Sequence, residues 1–134
     1  SNHSGDMITF YYGSPGSTTT VGGVANTTTG VSYNTASDRR LKRDISNYTN
    51  SGAVIYALQP RSFTWTTNNT QDVGFIADEL QQVIPQAVTG KADAMGADGN
   101  PIYQMVDCST PEMMANIIAE LQSLRKRVAE LEAK

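Results

Sequence analysis

TPEMMANIIAELQSLRKRVAELEAK, residues 110–134, is free of helix breakers once past Pro111, and its periodicity decides the architecture. Thr110 suits an N-cap and Pro111 with Glu112 a first turn, so a helix is predicted from Pro111 to Lys134. Met114, Ile117, Leu121, Leu124, Val128 and Leu131 recur at alternating spacings of three and four, the a/d seam of a coiled coil. With Leu121 and Val128 at a, Glu120 and Arg127 fall at g and Arg125 and Glu132 at e. Between parallel neighbours Glu120 then faces Arg125 and Arg127 faces Glu132, and both pairs are of opposite sign, which favours a parallel in-register bundle. The alternative is one surface helix laid on its own domain, although the rest of the chain offers only a small core for so long a stripe. Leucine at both a and d leaves two strands against three open.

Immediately upstream, residues 37–110 read as a small mixed α+β domain. Ser51 to Leu58 is a short amphipathic helix candidate stopped by Pro60. Arg61 to Thr66 alternates, with Phe63 and Trp65 on one face of a strand. Asn68 and Asn69 supply a turn, and Val73 to Ile76 is a second strand leading into a helix from Ala77 to Ile84, ended by Pro85. Ala87 to Thr89 and Ile102 to Val106 are expected to pair as a hairpin across the turn-rich loop from Ala94 to Pro101. Trp65 and Phe75 read as core residues, and Cys108 as a buried small hydrophobe.

Residues 1–36 differ in kind. Asp6 is their one formally charged side chain, and the rest is Thr, Gly, Ser, Asn and Val with a few aromatics. Met7 to Tyr12 reads as a strand, Ser14-Pro15-Gly16-Ser17 as a turn, and Thr18 to Val24 and Val31 to Tyr33 as further β pieces broken by Gly22-Gly23 and Gly30. No piece carries enough apolar residues for its own core. Three copies wound together would share one through Ile8, Phe10, Val21, Val24 and Val31, which is the logic of a fibrous β-stalk such as a triple β-helix. A disordered Thr/Gly linker is the other reading.

Bulk properties remove several function classes. A chain of 134 residues holds one small domain and an appendage. Hydrophobic residues at 39% and charged ones at 17% are lean for a globular monomer, so apolar surface is expected to be buried between chains. A net charge of −3 offers no field for a polyanion, so no nucleic-acid partner is expected. No apolar run reaches the ~20 residues of a spanning helix, and Ser1 to Asp6 lacks the order of a signal peptide. One Cys108 excludes an intrachain disulfide and a cysteine-based zinc site, and His3 alone leaves no material for a Ser-His-Asp triad. Asp93 and Asp98 lack the ordered spacing of a calcium loop. Neither metal nor cofactor is expected.

The junction between stalk and domain reads Ser37-Asp38-Arg39-Arg40-Leu41-Lys42. By itself it is a turn followed by a solvated charge run. Its order Ser-Asp-x-Arg-Leu-Lys resembles the opening motif of the intramolecular chaperone family at the C-termini of phage endosialidases, neck appendages and tail fibres. The auto-processing domain of myelin regulatory factor opens similarly. Tyr56 to Trp65 is similar to the family's helix-to-strand step, Gly74 to Pro85 to its Gly-x-Ile-Ala-Gln-Glu-Val pattern, and Val106-Asp107-Cys108-Ser109 to its Val-Asp-Tyr-Ser junction. Asp78 and Cys108 depart from the family, standing where Gln and Tyr are frequent.

The resemblance implies a self-cleaving serine endopeptidase acting in cis between Ala36 and Ser37, with Ser37 as nucleophile and Lys42 as general base. Asp38, Arg40 and Glu79 are the supporting residues it suggests. A lysine takes a proton near neutral pH only where burial or nearby positive charge favours its neutral form, and Arg39, Arg40 and Arg43 are adjacent. It further implies a homotrimer registering the upstream stalk of a phage tail fibre or tailspike, on the virion tail or in the host cytoplasm during assembly. The competing class is a trimerisation tip, or receptor-contacting end, that never cleaves.

Overall fold

Backbone pairing in the first 35 residues follows from their β-branched and aromatic content. In this computed structural model, which describes residues 5–14, 16–26 and 29–134, strand β1 (Gly5–Ser14) pairs antiparallel with β2 (Ser17–Asn26), and β2 with β3 (Val31–Thr35). The result is a three-stranded meander in the order β1-β2-β3. His3 and Pro15, singled out above, lie outside the described residues. Gly22 and Gly23 do not break β2 as expected. They are in register with Thr35 and Asn34 of β3, and β2 continues through them, although its pairing with β1 slips by one residue beside Gly22, between Phe10–Gly22 and Tyr11–Thr20. Ile8, Phe10, Val21 and Val31 are exposed and Val24 is half-buried, so one chain leaves this apolar set largely uncovered.

The chain divides into two compact units, Ser1–Ser46 and Asn47–Lys134. In the second, α1 (Ser51–Ala57) ends at Leu58, whose backbone is already extended ahead of Gln59-Pro60. Strands β4 (Arg61–Thr64) and β5 (Gln71–Gly74) form a hairpin, and α2 (Ala77–Val83) follows with Asp78 and Glu79 at the positive end of its dipole. Ile84 leaves helical geometry before Pro85, and one 3-10 turn leads into β6 (Val88–Thr89), which pairs with β7 (Met105–Val106). The closing helix is α3 (Pro111–Glu132), its first turn capped by Thr110, whose Oγ1 accepts from the Met113 N–H at 3.3 Å.

Leu80, Ile84, Ala87, Val88 and Met113 form the buried core, with Val54, Leu58, Phe75, Ala77 and Val83 packed against it. Phe75 thus joins the core as expected, but Trp65 does not. Its ring meets Phe63 edge-on at 5.2 Å while 49% of the residue stays exposed, and its indole N–H donates to Asp72 Oδ2 at 3.1 Å. The expected alternation is present, but no element among the described residues of this chain covers that face. Cys108 is also exposed rather than buried. The Asp107 carboxylate accepts from the Ser109 N–H at 2.8 Å and its hydroxyl at 2.6 Å, closing a turn that leaves Cys108 at the surface.

α3 uses two faces differently. Met113, Asn116 and Glu120 point into the chain's own unit: Met113 is in the core, Asn116 Oδ1 accepts from the Tyr48 hydroxyl at 2.8 Å, and Glu120 Oε2 accepts from the Ser51 hydroxyl at 3.4 Å. Glu120, placed at a g position by the heptad, thus meets the start of α1 within its own chain. The a/d stripe is uncovered, from 44% exposure at Ile117 and Leu124 to 67% at Leu131. The single helix therefore packs on its domain at its first turns without covering its seam.

Candidate active site

Ala36 is held by the sheet, because its N–H continues the β2–β3 ladder one rung past Thr35 and donates to the Val21 carbonyl at 2.9 Å. The chain then turns. Asp38 is extended, and its carboxylate accepts the Arg40 N–H at 2.8 Å, capping a 3-10 turn over Arg39–Leu41. Leu41 and Lys42 donate their N–H groups to the carbonyls of Asp38 and Arg39. A 3-10 turn advances only ~2 Å per residue, so it returns the chain toward its start. Lys42 Nζ accordingly reaches Ser37 Oγ at 2.5 Å, with the ammonium donating to the hydroxyl oxygen. Both residues are exposed.

The charges around the pair are more balanced than the run of basic residues suggests. Arg40 forms a forked pair with Asp38, Nε at 2.9 Å and a terminal nitrogen at 3.0 Å, and Arg43 lies 3.6 Å from the Asp44 carboxylate. The Arg40 side chain, then its N–H, holds the Asp38 carboxyl below the ordinary range, and Asp38 in turn raises the Arg40 guanidinium. Asp38 thus shapes the turn that carries Lys42 and offsets the arginine charge beside it.

Glu79 is engaged in the second unit. Arg61 binds its carboxylate through two nitrogens at 2.8 and 2.9 Å and also meets Gln59. The hydrogen bond from Arg61 lowers the Glu79 carboxyl from its ordinary 4.5. A depressed carboxyl contributes stability that is complete above the ordinary value and is lost as pH falls through the lower folded-state value. Arg61→Ala should therefore lower the thermal midpoint of the second unit near neutral pH. The gap from wild type should narrow between neutral pH and an acid pH well below that ordinary value. Equal gaps at both pH values, read by circular dichroism, would remove this ion pair as the cause.

The Ser37 to Lys42 spacing was readable in the sequence, but the Val21 contact was not. It involves main-chain atoms 15 residues apart, in positions 21 and 36, and depends on the strand register, so no side-chain motif announces it. Among the described residues no cluster of His, Cys, Asp and Glu could hold a metal ion, and no helix is long and apolar enough to cross a membrane.

Residues 37–89 match the family model described as chaperone of endosialidase, which carries the name peptidase S74. The match starts at Ser37 and ends with β6. No curated protein matches the chain.

Proposed function

We propose, on the premise that residues 37–89 are a chaperone-of-endosialidase domain, that the chain trimerises to register a fibre stalk and then cuts itself between Ala36 and Ser37. The observation carrying this reading is the 2.5 Å contact of Lys42 Nζ with Ser37 Oγ, beside a residue anchored by the sheet. Once neutral, the Lys42 amine takes the hydroxyl proton as Ser37 Oγ attacks the Ala36 carbonyl carbon. The tetrahedral adduct collapses as the bond to the Ser37 nitrogen breaks, and that nitrogen receives the proton back from Lys42. An ester now joins Ala36 to Ser37 Oγ, and water hydrolyses it to a free carboxylate and the free hydroxyl.

In the single chain the pair is open to water, with Lys42 Nζ against Ser37 Oγ. Assembly is the step that removes the pair from water and favours a neutral lysine. The uncovered a/d stripe of α3 and the uncovered apolar residues of the meander support burial between copies, with the stalk partner supplied by the same polypeptide. Release of the domain after cutting leaves the stalk unable to unwind by the route it folded, which converts an equilibrium into kinetic stability.

The experiment is a denaturing gel combined with N-terminal sequencing of purified, trimeric protein. Two fragments are expected, the C-terminal one beginning at Ser37, with nucleophilic hydroxylamine speeding their appearance by attacking the ester. A trimer whose chains stay uncut at 14.4 kDa would instead establish the non-cleaving trimerisation tip.

A further inference from the structure

We infer that the last rung of the β2–β3 ladder is part of the cleavage machinery, with Gly22 as the positioning residue that lets β3 approach closely enough to hold Ala36 on the Val21 carbonyl. This rests on the cleavage reading above and adds a dependence on the state of the stalk sheet.

The observation is an asymmetry between adjacent glycines. A Cβ built on Gly22 would lie 2.5 Å from the Asn34 carbonyl oxygen of β3, and one built on Gly23 would lie 2.7 Å from the Ile8 carbonyl oxygen of β1. Both distances are shorter than real Cβ contacts allow, and both obstacles are backbone, so a neighbouring strand must move if either glycine gains a side chain. Gly22 faces the strand that delivers the scissile bond, and Gly23 faces the strand that does not. Asn34 is two residues from Ala36, so displacing its carbonyl shifts the end of β3 and lengthens the 2.9 Å bond between the Ala36 N–H and Val21. Beyond that rung the chain enters the turn capped by Asp38, which positions Lys42 against Ser37. The scissile carbonyl therefore sits between two anchors, the sheet on its N-terminal side and the capped turn on its C-terminal side. Losing the first leaves the Ser37–Lys42 contact intact but frees the carbonyl from the line of attack. A displacement of about 1 Å at a reacting centre costs roughly 10²-fold in rate. The sheet thereby licenses its own release, because cutting is fast only when β3 is zipped to its end.

The test compares Gly22→Ala with Gly23→Ala in pulse-labelled full-length chain. Trimers are isolated on a native gel, and the first-order rate constant of cutting within them is read on a denaturing gel. A merely structural role lowers the yield of trimer for either variant but leaves that rate constant alone. Gly22→Ala should slow it about tenfold or more, while Gly23→Ala stays within about twofold of wild type. Equal rate constants for the two variants would overturn the inference. As a second probe, Ala36 is replaced by its α-hydroxy analogue, which exchanges the N–H for an ester oxygen and leaves the scissile amide unchanged. It should slow cutting about fivefold or more, and an unchanged rate would also overturn the inference. If wild type itself is never cut, it is the cleavage reading that fails. Normal wild-type cutting with insensitive variants fails this inference alone.

Discussion

Ser37→Ala should yield an uncut chain that still assembles, because the substitution removes one exposed hydroxyl and leaves the seam, the core and the sheet intact. The expected loss is about four orders of magnitude or more, since without Oγ no acyl transfer from Ala36 can begin. Lys42→Ala should reduce cutting by roughly 10²–10⁴-fold, the usual contribution of a positioned base. Lys42→Arg should fail to rescue it, because a guanidinium keeps its proton and cannot accept one from the serine. In wild type the rate should be first order and unaffected by dilution of formed trimers, as nucleophile and scissile bond belong to one chain. Ser37→Ala chains mixed into active trimers should stay uncut. Their cleavage by neighbours, or normal processing without Lys42, would overturn the proposed dyad.

The double variant Leu121→Asp with Leu124→Asp should abolish the trimer. In one chain these side chains are 65% and 44% exposed, so the change does little to the isolated fold. In a three-stranded seam it buries six carboxylates. Each costs on the order of several kcal/mol, against about 1.5–3 kcal/mol gained by each leucine it replaces. Light scattering should give a monomer mass for the variant and a trimer mass for wild type. Cutting should be lost together with assembly. A variant that still scatters as a trimer would show that the seam is not what holds the chains together, and one that cuts normally as a monomer would separate the chemistry from assembly.

Local signals made much of this fold legible. Pro60, Pro85 and Pro111 punctuate the helices, and the observed ends fall within a residue or two of those expected. The Ser37 to Lys42 pair was equally legible, because a single turn spans it. What escaped was decided by contacts distant in sequence. Periodicity assigned Trp65 to a face, but whether that face is covered depends on other elements. Glu120 reads as a g position from its own helix, and that reading says nothing of the contact it makes with Ser51, 69 residues away. Asn116 and Tyr48 meet across a similar separation. Gly22-Gly23 looked like a strand break by propensity. The close backbones on either side require glycine there and keep the strand whole.

Trp65 is the one tryptophan in the chain, and its setting makes the molecule its own optical probe. Selective excitation of the indole reports the β4–β5 hairpin and leaves the helices and the meander silent. Its emission is tied to contact with Phe63 and to the Asp72 carboxylate. The indole N–H, then the Val73 N–H, holds that carboxyl below the ordinary range. Opening of this hairpin is therefore visible as a separate spectral event, with no dye attached and no residue replaced.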